Sequence, residues 1–336
     1  MTVDMSVRYL GLELAHPVVP GASPLADDLD TVRRLEDAGA AAITLRSLFE
    51  EQLTEMQMTA HDFLDGIAEG HAEALTYFPG TADYVLGPDS YLEQIRRIRE
   101  TVDVPVIASL NGVSLGGWLH HAKLIEQAGA QALELNLYTL STDPRVSAAA
   151  IEAQELEVVR AVLDGISIPV AVKLSPFYSA LPSFVRGLEQ AGAHGVILFN
   201  RLYEADIDPE ALELDRTLRL SQPSELLPRL RWLAILSARS ELDLAVTGGV
   251  HDATGALKAI MAGATVVQMV SALLHHGPEH LTGIVDGLRT WLEEHEYDSV
   301  RDACGCMNDA RAPDSSPLTR ANYIGLLQSW ARSRQG

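Results

Sequence analysis

Short apolar runs and longer stretches of helical period alternate along this chain, and eight apolar runs can be counted. Four follow a Pro-Val sequence or a near equivalent, at residues 16–19, 104–107, 168–171 and 242–246. The other four follow Ala-Gly-Ala, at residues 38–40, 128–130, 191–193 and 262–264, and the two kinds alternate in chain order. A short apolar run after a helix-ending glycine is typical of a strand buried on both faces. Eight such units predict an α/β fold, a single (β/α)8 TIM barrel.

The helical stretches between these runs match the eight helices that a barrel needs. They cover residues 27–38, 91–101, 115–128, 151–164, 180–191, 225–238, 252–262 and 278–295. Two longer connections form insertions after strands 2 and 6, at residues 47–90, with a helix at 50–67, and at residues 200–222. Both follow strands, so we expect them at the C-terminal mouth of the barrel. We expect a barrel domain at 1–297 and a C-terminal tail at 298–336, with a short helix at 319–332.

The amino-acid composition and the net charge argue against nucleic-acid binding, membrane insertion and a disulfide-rich fold. The net charge is −21 over 336 residues and no stripe of Lys and Arg offsets it, so a nucleic-acid partner is not expected. No apolar run reaches the roughly 18 residues of a membrane span, and the start lacks a signal-peptide pattern, so we expect a cytoplasmic protein without membrane contact. The two cysteines, Cys304 and Cys306, are too few for a disulfide framework or a structural zinc site. Two interpretations are open for them, half of a metal or redox site and two ordinary thiols; we expect ordinary thiols and no metal.

Polar residues follow most of the predicted strands, where a barrel gathers its functional side chains. In chain order the strand-end residues are Gly21, Ala22, Ser23, Arg46, Ser47, Ser109, Asn111, Asn136, Lys173, Asn200, Arg201, Thr247, Gly248, Gly249 and Ser271. Three cations would thus meet at the mouth of a strongly acidic protein. This local reversal of charge predicts a small anionic ligand.

Three of these strand ends suggest definite chemistry. Gly248 and Gly249 precede a helix, and Val270 and Ser271 follow the last predicted strand, so backbone N–H groups can surround a phosphate there. Lys173 ends strand five, and three roles are open to it: a Schiff-base nucleophile, a cation partner of a cofactor, or a member of an ion pair.

Several motifs together resemble the flavin-dependent dihydroorotate dehydrogenases, specifically the soluble branch of that family. The segment from Thr247-Gly248-Gly249 to Gly277-Pro278 is similar to the family's FMN-phosphate segment. Residues 172–176, Val-Lys-Leu-Ser-Pro, resemble its strand-five lysine motif, and residues 134–137, Glu-Leu-Asn-Leu, resemble the start of its catalytic loop. The resemblance extends over nearly the whole chain, to about Tyr297.

This resemblance implies an FMN cofactor, a barrel fold and a homodimer. The phosphate would lie at Gly248, Gly249, Val270 and Ser271, and the isoalloxazine near Ala22 and Ser23, with Asn136 and Lys173 bonded to the ring. Lys173 would lie on the N1 side, where a fixed cation stabilises the reduced flavin. Asn200 resembles the family's strand-six asparagine that contacts substrate.

The substrate side departs from the family pattern. The family's catalytic loop carries a cysteine or serine as base, whereas here Thr139 falls at that position after Tyr138. The asparagine-rich loop that binds orotate corresponds here to residues 75–80, Leu-Thr-Tyr-Phe-Pro-Gly, and Arg46 stands where the family has a lysine. Missing donors disfavour a ligand because its polar groups lose their partners.

We therefore expect an FMN-dependent dehydrogenase acting on CH–CH bonds, with dihydroorotate or a related small anion as substrate. Arg46, Asn200 and Arg201 would bind that substrate, and Tyr138, Thr139 and Lys173 would take part in catalysis. Two alternatives stay open at this point: a phosphate-binding lyase or isomerase that uses Lys173 as a Schiff base, and a flavin-binding subunit without its own turnover.

Overall fold

A computed structural model describes residues 2–49, 88–112, 115–137, 139, 141–201, 205–215 and 217–319 of the chain. Within these ranges the strands are β1 (Val7–Tyr9), β2 (Leu12–Leu14), β3 (Val18–Pro20), β4 (Ile43–Phe49), β5 (Val106–Asn111), β6 (Ala132–Asn136), β7 (Val170–Leu174), β8 (Gly195–Leu198), β9 (Asp206–Asp208), β10 (Glu213–Asp215), β11 (Asp243–Thr247) and β12 (Val266–Met269).

The helices of the described ranges surround the strands. They are α1 (Leu29–Asp37), α2 (Pro88–Thr101), α3 (Leu115–Gln127), α4 (Ala148–Leu163), α5 (Leu181–Ala191), α6 (Leu226–Leu236), α7 (Ala253–Ala262), α8 (Ser271–His276), α9 (His280–Glu294), α10 (Val300–Ala303) and α11 (Ser316–Thr319). Each of the eight helices predicted between strands overlaps one of them. None of the helices in the described ranges is long and apolar enough to cross a bilayer.

Eight of the strands form one parallel sheet, in the order β3-β12-β11-β8-β7-β6-β5-β4. The two end strands, β3 and β4, are in contact and bring the edges of the sheet together into a ring. This order is the cyclic chain order of a (β/α)8 barrel, which confirms the predicted fold. The strands are almost entirely buried, which is why they read as continuous apolar runs in the sequence.

The glycines of the four Ala-Gly-Ala segments end helices in the left-handed region, as the sequence predicts. Gly39, Gly129, Gly192 and Gly263 have φ angles of 92°, 99°, 93° and 116°. Residues with a Cβ rarely adopt this conformation, so glycine lets each helix stop and the chain enter the next buried strand within a few residues.

The described residues include little of the first insertion and most of the second. The first one, including the predicted helix at 50–67 and the loop at 75–80, lies outside the described residues apart from the ends of the connection. The second one contains an antiparallel hairpin, β9 paired with β10, which the sequence analysis treated only as a long connection. Its strands are exposed, so they lack the buried apolar pattern on which strand prediction relies.

The N-terminal end of the barrel is covered by a second hairpin, β1 paired with β2. Tyr9 of this hairpin is fully buried, and the backbone N–H of Leu10 donates to Asp243 Oδ2 at 2.7 Å, at the start of β11. The start of the tail also packs on the barrel, because Gly305 N–H donates to Ile260 O at 3.0 Å and Met307 N–H to Met261 O at 2.8 Å. The helix predicted at 319–332 lies outside the described residues beyond its first position.

Candidate functional site

A layer of polar side chains fills the C-terminal half of the barrel interior. Side chains of a strand alternate between its two faces, so every second residue of β6 and β7 points into the ring. Glu134, Asn136 and Lys173 are such residues, with Ser109 beside them on β5, and all four are buried. Asn136 and Lys173 are direct neighbours in the register of β6 and β7. The structure thus brings together the amide and the cation that the sequence analysis assigned to one site.

Asn136 is held by a hydrogen-bond network. Its Nδ2 atom donates to Ser47 Oγ at 2.9 Å, to Ser109 Oγ at 2.8 Å and to Leu110 O at 3.2 Å. The hydroxyls of Ser47 and Ser109 are themselves 2.8 Å apart. These contacts fix the plane of the amide and leave its carbonyl end as the acceptor for a ligand.

Lys173 forms an ion pair, one of the three roles that the sequence leaves open, with a partner that was not predicted, Glu134. Its Nζ atom lies 3.5 Å from Glu134 Oε2, and the two side chains are only 7% and 0% exposed. The other carboxylate oxygen, Oε1, accepts a hydrogen bond from Gln268 Nε2. A glutamate in the middle of the apolar strand β6 was a signal available in the sequence, because an ionised carboxylate is rarely buried without partners.

The predicted phosphate site is a turn after β11. Gly248 and Gly249 have φ angles of 85° and 82°. The N–H of Gly249 donates to Ser221 Oγ at 3.2 Å, and that hydroxyl lies 2.8 Å from Ser271 Oγ. Two serine hydroxyls and a backbone N–H therefore converge at one point, although residues 221 and 271 come from different connections. Ser221 was not predicted from the sequence, because it lies at the end of a long loop without a motif.

A buried cation lies behind this turn. Arg229 of α6 donates from Nε to Thr247 O and from Nη1 to Glu225 O. A Cβ atom at Gly248 would come within 2.8 Å of Arg229 Nη2, so the glycine is needed for this close approach. Burial lowers the pKa of Arg229, and the nearby Glu225 carboxylate opposes that shift. Such a cation adds positive charge to a turn suited to a phosphate.

The C-terminal end of β3 lies beside β12, the last strand of the barrel, and contributes further residues to the mouth. The N–H of Gly21 donates to Met269 O at 2.9 Å, and Ala22 and Ser23 follow directly. Ser23 is buried, yet its hydroxyl has no hydrogen-bond partner among the described residues. Buried hydroxyls are nearly always bonded, so this atom is suited to a ligand at the position assigned to the isoalloxazine.

The two arginines predicted to bind substrate lie on opposite sides of the ring. Arg46 is on β4 and Arg201 follows β8, four strands away in the sheet. Arg46 Nε lies 3.3 Å from Asp27 Oδ1, and Arg201 Nε lies 3.6 Å from Glu225 Oε2. Burial raises the pKa of Asp27, and Arg46 opposes that rise. Both cations at the rim therefore already face a carboxylate on their own side.

Asn200 follows β8, as predicted, and is half-buried. Its backbone N–H donates to Leu174 O at 2.7 Å, which ties the residue after β8 to the end of β7. Asn200 is thereby placed on the same side of the mouth as Lys173, next to it in the ring.

The predicted proton-transfer residues are less well placed. Tyr138 lies outside the described residues. Thr139 is exposed, and its side chain hydrogen-bonds to Glu155 of α4. Burial raises the pKa of Glu155, while hydrogen bonds from Tyr178, at 2.9 Å, and from Thr139 lower it. The threonine hydroxyl is thus directed towards the helix layer, beside a cavity of about 70 Å³ lined by Gly112 and Trp118.

The chemistry of these groups fits an FMN. The turn at Gly248 and Gly249 offers N–H groups, hydroxyls and a cation for a phosphate, and Lys173, two strands away in the ring, offers a second cation. In the described ranges no cluster of three or more His, Cys, Asp or Glu could hold a metal ion. Burial raises the pKa of the Cys304 thiol to about 11, and this thiol donates to Ala264 O at 3.6 Å.

The sequence of this chain is similar to those of known proteins over most of its length. The family described as dihydroorotate dehydrogenase matches residues 85–292, more than half of the chain. The chain is 24% identical over 324 residues to the "Dihydroorotate dehydrogenase B (NAD(+)), catalytic subunit" of Endomicrobium trichonymphae, with 93% of this chain and 99% of that protein covered. Proteins of the same name from Bacillus pumilus and Anoxybacillus flavithermus are 26% and 27% identical, with 90% of this chain covered in both cases and 96% and 95% of the relatives. The chain therefore belongs to the dihydroorotate dehydrogenase family, whose members are FMN-dependent oxidoreductases that act on CH–CH bonds.

Proposed function

We propose that this chain binds FMN at the C-terminal mouth of the barrel and oxidises dihydroorotate or a related small anion. The phosphate would bind at Gly248, Gly249, Val270 and Ser271, and the flavin ring near Ala22, Ser23, Asn136 and Lys173. One observation carries this proposal: Lys173 and Asn136 are buried side by side at the same end of the ring as the glycine turn.

Bound FMN supplies a two-electron acceptor that takes up a hydride from a carbon of the substrate. The protein supplies the charges and the donors around it. Lys173 places a cation where negative charge develops on reduction, and Asn136, held by Ser47 and Ser109, orients the ring. Pre-set groups of this kind lower the barrier because they do not reorganise during the reaction.

The substrate would be held by Arg46, Asn200 and Arg201 at the rim. Because the arginines are paired with Asp27 and Glu225, a substrate carboxylate must compete with these acids for the guanidinium groups. This arrangement favours an anion with two acceptor groups that can reach different sides of the mouth. The loss of the family's asparagine-rich loop supports a substrate related to dihydroorotate rather than dihydroorotate itself.

Thr139 and Tyr138 would manage the substrate proton. A threonine hydroxyl is a poor base by itself, but the hydrogen bond between Thr139 and Glu155 supplies a partner that can take its proton. Because burial raises the pKa of Glu155, its carboxylate is a stronger base than an exposed one. Such a transfer requires the substrate to reach the Thr139 hydroxyl while its hydrogen bond to Glu155 is kept.

The first experiment is purification with and without added FMN. The proposal expects a yellow protein with flavin absorption bands, or an apoprotein that takes up one FMN per chain. Lys173→Met should alter the flavin spectrum and slow reduction, whereas Gly116→Ala, on the outer helix α3, should leave both unchanged. A colourless protein that refuses FMN would contradict the proposal.

The second experiment addresses the substrate. Dihydroorotate with fumarate or a quinone as oxidant would be compared with other small carboxylates in anaerobic flavin reduction. Flavin reduction by another carboxylate and slow turnover of dihydroorotate would support an altered substrate. Fast turnover of dihydroorotate would assign the family activity instead.

Size-exclusion chromatography with light scattering would test the homodimer that the family resemblance implies.

A further inference from the structure

The carboxylate of Glu134 lies deeper in the barrel than Asn136 and Lys173, the residues proposed to contact the flavin ring. Glu134 pairs with Ala171 in the strand register, whereas Asn136 pairs with Lys173, so Glu134 occupies the next inward position below them. It is 0% exposed.

Glu134 is held from two sides of the ring. Oε2 faces Lys173 Nζ on the neighbouring strand at 3.5 Å, and Oε1 accepts a hydrogen bond from Gln268 of β12. Strands β6 and β12 are four places apart in an eight-stranded ring, so this hydrogen bond crosses the barrel axis. The carboxylate is thereby fixed near the centre of the ring, directly behind the ammonium of Lys173.

The contact with Lys173 is an ion pair without a tight hydrogen bond. Charge-assisted N–H···O bonds are usually about 2.7–2.9 Å long, and Oε2 has no hydrogen-bond partner among the described residues. Lys173 has three N–H donors, so it can face Glu134 and still donate to a ligand at the mouth. The carboxylate then acts on the ligand through the charge and the position of the ammonium.

Stability alone does not explain this arrangement. Apolar residues of similar volume often replace a buried ion pair without loss of stability. A negative charge behind Lys173 has a further consequence if a flavin lies in front of it, because it cancels part of the attraction between the ammonium and the reduced ring.

We propose that Glu134 is a positioning residue that holds Lys173 at the flavin and lowers the reduction potential of the bound FMN. The inference rests on the proposed function and deepens it. Lys173 favours the reduced flavin, and Glu134 limits that preference, so the reduced cofactor can pass its electrons on.

Glu134→Gln tests this role because it keeps the size of the side chain and removes its charge. The midpoint potential of bound FMN, measured by dye-coupled spectroscopic titration, should rise. We expect at least a tenfold increase in the ratio of reduced to oxidised flavin at a fixed potential, about 30 mV for a two-electron couple. The matched control is Glu126→Gln, the same change at a glutamate of α3 whose Oε1 accepts from Ser167 at the opposite end of the barrel, which should leave the potential unchanged.

A double variant shows whether Glu134 acts through Lys173. Lys173→Met alone should lower the potential, because the cation is lost. In that background Glu134→Gln should have a much smaller effect, because the ammonium through which Glu134 acts is gone. An equal shift in both backgrounds would contradict a role through Lys173.

A further variant covers the case in which Glu134→Gln does not fold. Gln268→Met removes the donor to Oε1 and leaves more of the negative charge facing Lys173, so the potential should fall. A rise would overturn the inference, as would an unchanged or lower potential in folded Glu134→Gln. If the wild-type protein binds no FMN, the proposed function itself fails. If it binds FMN but the reduction potential does not depend on residue 134, only the inference about Glu134 fails.

Discussion

The interior site around Lys173 and the rim around Arg46 and Arg201 use the same kinds of residue in different environments. Lys173 and Glu134 are 7% and 0% exposed, and a hydrogen bond from Gln268 joins Glu134 to the opposite side of the ring. Arg46 and Asp27 are 19% and 31% exposed, and Arg201 and Glu225 are 28% and 32% exposed. Charges in the interior cannot be solvated by water if one partner is lost, whereas those at the rim can. The interior thus suits the FMN that we propose to stay bound, and the rim suits the proposed substrate, which must enter and leave.

The largest effect should come from breaking the interior pair on one side. Lys173→Met leaves the carboxylate of Glu134 without its cation, and we expect a loss of about 3–5 kcal/mol in the free energy of unfolding. Arg46→Met at the rim should cost at most about 1 kcal/mol, because its partner is partly solvated. Urea denaturation of both apoproteins measures the difference. Equal losses would remove the distinction between the two regions.

The glycine turn should be nearly as sensitive. A Cβ atom at Gly249 would lie 2.5 Å from the backbone N of Leu226, and its φ of 82° is unfavourable for other residues. We expect Gly249→Ala to cost about 1–3 kcal/mol from backbone strain and to abolish tight FMN binding.

The matched control is Gly116→Ala in α3, where a Cβ atom meets nothing within 4 Å. That change should stabilise the helix by about 0.5–1 kcal/mol and leave FMN binding intact. Thermal unfolding and fluorescence titration with FMN check both variants. Normal FMN affinity in Gly249→Ala would argue against a phosphate at this turn.

Ser221→Ala should have an intermediate effect. The hydroxyl accepts from Gly249 N–H and contacts Ser271 Oγ, so its loss leaves a buried N–H without a protein partner. We expect FMN to bind about tenfold more weakly, equivalent to about 1.4 kcal/mol. Isothermal titration measures this, with Ser240→Ala, at the opposite end of the barrel, as control. Unchanged affinity would place the phosphate elsewhere.

The smallest effect concerns the pH dependence set by Glu155. Burial raises its pKa in the folded protein above 4.5, so the folded state binds this proton more tightly than the unfolded state. Stability is then lost as the pH rises from 4.5 through the folded pKa, with a slope of at most about 1.4 kcal/mol per pH unit. Glu155→Gln should remove this part of the pH dependence. Denaturation between pH 4 and 8 checks it, and parallel curves for both proteins would rule out the assignment.

Local signals explain what could be predicted. The apolar runs and the glycines that end helices determine the eight strands and helices, and hence the barrel, because both patterns are properties of short segments. Lys173, Asn136 and the Gly248-Gly249 turn were assigned to one site for the same reason: each follows or ends a strand, and a barrel gathers such positions at its mouth. The exposed hairpin β9–β10 was missed, because it carries no buried pattern.

The sequence by itself thus determined the barrel, its polar mouth and its membership of a flavin-dependent family. Only the tertiary structure decided which charges face each other. Glu134 and Gln268 are 134 positions apart in the chain and meet across the ring, and Arg229 of a helix reaches the turn after β11. No local sequence pattern predicts such a contact. It depends on closure of the ring, which brings residues of opposite strands within hydrogen-bonding distance.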